Sequence, residues 1–181
     1  MANVKFDFSG FHIFECRSPN TDTDYASLSV RVGDKLYGPK TKYVGDLDKG
    51  DHGVGLTITA EVPSDNTQVV VAWAVINSDD GDEALNIVGN LALGLVGAAL
   101  TEIPFIGTVL AAIFAVVVNP WRNHNGPCVL QQCVTTGALL GQVNPLNSSP
   151  GETGAKNFGR DFSPGGGDSS NYTSIVWVTG L

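Results

Sequence analysis

The chain has 181 residues, 43% hydrophobic and only 15% charged, with a formal net charge of −8. That length supports one domain with a full core. The acid excess argues against nucleic acid, whose phosphates need a basic footprint, and against simple electrostatic attraction to anionic lipid, while it permits cation binding.

The charge is uneven: residues 1–83 hold 7 Lys+Arg and 14 Asp+Glu, a net of −7, and residues 84–181 hold 3 and 4, a net of −1. The opening MANVKFDFSGF has no basic segment followed by an apolar one, so no signal peptide is visible. Three expectations stay open: a chain that stays in the cytoplasm, one that leaves by a non-classical route, or a mature form with an added Met.

Val4–Phe8 alternates apolar and charged residues, the period of a half-buried strand, and Phe11–Cys16 reads as a second short strand. A polar loop follows over Arg17–Asp24. Ala26, Leu28, Val30 and Val32 then alternate with Ser27, Ser29 and Arg31 as another strand. GDKLYGPKTK reads as a turn and a loop. Val54–Val62 is the cleanest alternation in the chain, and Pro63–Asn66 is turn chemistry. Val69–Ile76 is continuously apolar and rich in β-branched residues, so it is predicted as a central strand buried on both faces.

The pattern then changes. Glu83–Val118 is rich in Ala and Leu, with Asp79, Asp80, Asp82 and Glu83 at its start, where carboxylates favour the positive end of a helix. Pro104 breaks it. The expectation is a helix over Glu83–Thr101, a turn at Glu102–Ile103 and a second helix over Pro104–Val118. Beyond Trp121 the chain is polar. Val129–Val134 and Ala138–Val143 read as short strands, Asn144–Asn171 as a long Gly/Ser/Pro/Asn tract, and Tyr172–Thr179 as a paired terminal strand.

No charge occurs from Leu85 to Thr101 or from Ile103 to Trp121. Each segment as a helix is on the order of 25 Å long, close to a bilayer core. Gly94 and Ala98 on the first helix, and Gly107, Ala111 and Ala115 on the second, provide small residues at a four-residue spacing that lets helices approach closely. Glu102 would sit at the hairpin tip, where protonation eases entry into lipid, and Trp121 at the far end suits an interface. Such a hairpin resembles the hydrophobic helical hairpins of pore-forming toxins such as colicins. IPFIGTVLAAIF is similar to the Pro/Gly-punctuated apolar helices of bacterial insecticidal toxins. The likeness is one of composition over Glu83–Trp121, and those families have much larger helical bundles, so no functional residue is carried over. It implies membrane insertion. An apolar hairpin can equally form the protein's own core or a contact between subunits.

Asp46, Asp48 and Asp51 share one turn, and Asp79, Asp80 and Asp82 another, an arrangement of oxygen ligands and glycine that suits Ca²⁺ without completing an EF-hand loop. The same residues also simply make turns and N-caps. His12, His52 and His124 are isolated, and no phosphate loop, dinucleotide fingerprint or HExxH is present. Cys16, Cys128 and Cys133 do not form a disulfide scaffold, although the last two are close enough in sequence to pair across a short loop.

The sequence thus predicts a single mainly β domain over residues 1–181: an antiparallel β-sandwich from 1–82 and 125–181, with an inserted apolar α-helical hairpin over 83–120. The expected function is non-enzymatic and toxin-like or effector-like: a homo-oligomer that binds membrane lipid or a cell-surface ligand, inserts its hairpin, and needs no cofactor other than an optional Ca²⁺. One alternative is a self-associating structural or adhesive protein. Another is a Ca²⁺-dependent carbohydrate-binding module.

Overall fold

The structure is a computed structural model that describes residues 2–16, 21–79, 81–98, 126–137, 157–160 and 171–180. In chain order the elements are β1 (Ala2–Glu15), β2 (Asp22–Val32), β3 (Lys35–Leu47), β4 (Gly50–Val62), β5 (Gln68–Asn77), α1 (Gly81–Ala98), β6 (Gly126–Thr136), β7 (Asn157–Arg160) and β8 (Asn171–Gly180). The strands build two four-stranded sheets, β4-β1-β8-β7 and β3-β2-β5-β6, and every pairing is antiparallel.

One hydrophobic cluster draws on both sheets: Phe6, Phe8 and Phe11 of β1, Leu56 and Ile58 of β4 and Val176 of β8 meet Leu28 and Val30 of β2 and Val71 and Trp73 of β5. Successive strand residues point to opposite faces. On β5, therefore, Val69, Val71, Trp73 and Val75 fill this inner cluster, while Val70, Ala72, Ala74 and Ile76 face outward. The outward set is buried too, because α1 lies across it. That accounts for the continuous apolar run predicted as doubly buried. At the fully buried centre a polar link joins the two sheets, where Trp73 Nε1 donates to Ser174 Oγ at 2.7 Å.

Several expectations need correction. Val4–Phe8 and Phe11–Cys16 are not separate strands: β1 runs through both, with a register shift between Phe8 and Gly10. The bulge resets the alternation, so Phe8 and Phe11 are both buried. Gly10 permits it, since a Cβ there would collide with the His52 carbonyl oxygen. GDKLYGPKTK is not a loop but a turn and most of β3. Its lysines and Pro39 misled the reading, yet both are usual on an edge strand, where β3 lies. Lys42 Nζ also closes the open seam between the sheets by donating to the Val54 carbonyl of β4 at 2.6 Å. The polar tract contributes β7, which pairs with β8.

The predicted helical hairpin is not supported. The described residues contain one helix, α1, starting two residues earlier than expected and ending at Ala98. The predicted second helix over 104–118 lies outside the described residues, as does the predicted strand over 138–143. Cys128 and Cys133 are not joined by a loop. Both lie within the one strand β6.

Candidate functional site

Two regions stand apart from the apolar core: the interface beneath α1 and the acidic end of the sheets. α1 begins at Gly81, whose φ of +51° favours glycine, and carries Asp82 and Glu83 in its first turn. Ala84, Ile87, Val88, Leu91, Ala92, Leu95 and Val96 form its buried stripe. Glu83, Asn86, Asn90 and Gly97 are exposed. α1 is therefore amphipathic, not apolar all round, yet its exposed face carries no charge after the first turn. Gly89 brings it close to β3, since a Cβ at that position would lie 3.1 Å from Thr41 Cγ2 and 3.4 Å from Pro39 Cγ.

The sheet surface under α1 is partly polar. The outward face of β2 presents Tyr25, Ser27, Ser29 and Arg31, because the intervening Ala26, Leu28 and Val30 fill the inner cluster. Buried Arg31 donates through Nε to the Val96 carbonyl at 3.0 Å, through Nη1 to the Gly33 carbonyl at 2.9 Å and through Nη2 to Gln68 Oε1 at 2.9 Å. Val96 lies in the last described turn of α1, where a side-chain donor can supply a carbonyl with a partner. A cation at that end also complements the helix dipole.

Ser27 Oγ, Ser29 Oγ and Gln132 Oε1 are buried here with no hydrogen-bond partner. Registration explains their grouping. Ser29 and Gln132 flank Ala72 of β5, and Ser27 and Leu130 flank Ala74 in the next row. Leu130 packs with the α1-facing clusters, and Gln132 two residues on shares its face. Each such group costs about 1–3 kcal/mol.

The acidic turns converge at one end. Asp22 pairs in register with Leu47, and Asp24 with Asn77, while Ser78 N–H donates to the Thr23 carbonyl at 2.8 Å. The β3–β4 turn and the approach to α1 therefore lie together. Asp46 accepts from Thr23 Oγ1 at 2.8 Å and from Tyr43 Oη at 3.2 Å. Asp51 Oδ1 lies 2.8 Å from His12 Nδ1, and His52 Nε2 lies 2.7 Å from the Asp48 carbonyl. Burial pushes the Tyr25 phenol up; a hydrogen bond with the Gly81 backbone opposes the rise, and the individually weaker charges of Asp46, Asp79 and Asp82 add to it. Inside the same end, Tyr172 Oη donates to Asp22 Oδ2 at 2.6 Å and lies 3.1 and 3.2 Å from the Asp24 carboxylate oxygens; all three residues are buried.

The predicted metal residues Asp46, Asp48, Asp51, Asp79 and Asp82 thus share one end of the fold, and Asp80 lies outside the described residues. Among the described residues no three His, Cys, Asp or Glu side chains are grouped to hold a metal ion. Of the predicted helix-packing residues, Gly94 is half-buried on α1 and Ala98 ends it. Glu102, Pro104, Gly107, Ala111, Ala115 and Trp121 lie outside the described residues. Sequence reasoning missed Ser27, Ser29, Gln132 and Arg31. The alternation over β2 set Ser27, Ser29 and Arg31 on one face without saying what covers it, and Gln132 in β6 carried no such signal.

No known family model matches the chain, and no curated protein matches it.

Proposed function

We propose that this protein is a non-enzymatic, toxin-like or effector-like β-sandwich that binds a lipid surface and moves apolar chain into it. The observation that carries the reading is the uncharged exposed face of α1: past Glu83, among the described residues, the docked helix offers solvent Asn86, Asn90, Gly97 and partly buried Leu85, Leu93 and Gly94. A surface helix ordinarily carries charge there. Without it, transfer to a membrane interface needs no charge to be desolvated. No helix among the described residues is long and apolar enough to cross a membrane. α1 therefore acts in the plane of the interface, and deeper insertion falls to the charge-free stretch from Ile103 to Trp121.

The test is dye release from liposomes with and without anionic lipid, near neutral pH and near pH 5, where a carboxylate such as Glu102 gains protons. The expected outcome is release that depends little on anionic lipid, grows in acid, and appears at neutral pH in Glu102→Gln. Absence of release from folded protein under all these conditions would sink the proposal.

Two other readings have observations of their own. Leu36 on edge strand β3 and Val134 on edge strand β6 are 46% and 50% exposed, which suits contact with a second copy. Concentration-dependent assembly without dye release would favour that adhesive or structural reading. The acidic turns at one end suit a Ca²⁺-dependent carbohydrate binder, and a rise in melting temperature with added Ca²⁺ would favour it.

A further inference from the structure

We infer that α1 is a releasable strap: it leaves the outer face of the β3-β2-β5-β6 sheet as one unit, pivoting at Gly81, while the core between the sheets stays folded. The inference deepens the membrane reading and depends on it only for what the freed helix does next.

Three features of the interface support release. Its polar oxygens gain by it: Ser27 Oγ, Ser29 Oγ and Gln132 Oε1 have no partner while α1 is docked, and each recovers hydrogen bonds to water once α1 lifts. Among the described residues, Arg31 is the side-chain latch at the far end of α1: it gives up the Val96 carbonyl but keeps the Gly33 carbonyl and Gln68 Oε1, so the guanidinium is not stranded, while the Tyr25 bond to the Gly81 backbone lies at the pivot. Its pivot has room to turn: Gly81 has a φ of +51°, and a Cβ there would meet nothing within 4 Å. The core holds none of these features at its centre, where Trp73 Nε1 is satisfied by Ser174.

Hydrogen exchange on the full chain tests the strap directly. The α1 amides are expected to exchange at least about tenfold faster than those of β5, with a weaker denaturant dependence. In the Ser27→Ala/Ser29→Ala double variant that gap should narrow, because the docked state no longer buries two orphan hydroxyls. Exchange of α1 and β5 at one rate with one denaturant slope would overturn the strap.

A lock separates the strap from its use. Gly89→Cys with Thr41→Cys places two thiols where a Gly89 Cβ lies 3.1 Å from Thr41 Cγ2. The oxidised lock should abolish α1 exchange and dye release, and reduction of the same sample should restore both, which also controls for folding. Undiminished release from the oxidised lock would overturn α1 as the moving part. No release from the wild type would overturn the membrane reading, and exchange alone would then decide the strap.

Discussion

The two faces of β5 make unlike interfaces. Its inner face meets aromatic and aliphatic side chains from β1, β4 and β8, and the buried Trp73 indole is satisfied by Ser174. Its outer face meets α1, with Ser27, Ser29, Gln132 and Arg31 among the aliphatic groups. Both faces are equally hidden from water, since Val69 to Ala74 are each 0% exposed. Equal burial therefore does not mean equal stabilisation. What differs is where unpartnered polar atoms lie: Ser27 Oγ, Ser29 Oγ and Gln132 Oε1 sit under α1, whereas the centre of the inner face has its indole satisfied and the inner-side orphan, Asn77 Nδ2, lies at the end of β5. On the strap proposal this makes the α1 interface the first to open.

The largest expected effect lies on the inner face. Trp73→Ala removes the biggest fully buried side chain among the described residues and strands Ser174, so it should cost about 3–5 kcal/mol. Chemical denaturation should show the whole fold weakening, and a change confined to α1 would break the comparison. Leu91→Ala, from the outer cluster, should cost about 2–4 kcal/mol of packing. Hydrogen exchange should find that loss in α1, with β5 protection nearly unchanged; equal loss in both would make the two interfaces one cooperative unit.

Ser29→Ala should have the opposite sign, raising thermal stability by about 1 kcal/mol because a partnerless buried hydroxyl is removed. A destabilised variant would mean that this hydroxyl is hydrated in place.

The smallest effect concerns Cys16. Burial first, and then the charges of Asp22 and Asp24, raise its thiol pKa. The folded chain thus holds this proton more firmly than the unfolded chain. The resulting stability is fully present below the ordinary thiol pKa and is lost as pH rises through the folded value. Site-resolved alkylation of Cys16 in mild alkali should be slower in folded than in unfolded protein. Equal rates would remove Cys16 from the protected end of the core.

Legibility followed chemistry that is local. The alternation over Val54–Val62 and the continuous apolar run over Val69–Ile76 were readable because a strand's two faces write their surroundings directly into the sequence. β3 was unreadable for the same reason reversed: an edge strand tolerates Lys, Gly and Pro, which elsewhere mark loops. The break in β1 reads as a strand end because a bulge interrupts the period without ending the pairing. The acidic turns were visible, but their convergence depends on the long-range pairing of β2 with β3 and β5.

The helix shows the division most plainly. Composition alone determined that a helix starts near Glu83, after a run of acids, and that its chain is almost free of charge. The same neutrality suggested a helix apolar on every side. Only the tertiary structure decided that one stripe faces a sheet and that Asn86 and Asn90 face water. The seat was hidden for a related reason. Ser27, Ser29 and Arg31 alternate with apolar residues as though facing solvent, and local sequence cannot tell water from a helix that arrives fifty residues later in the chain.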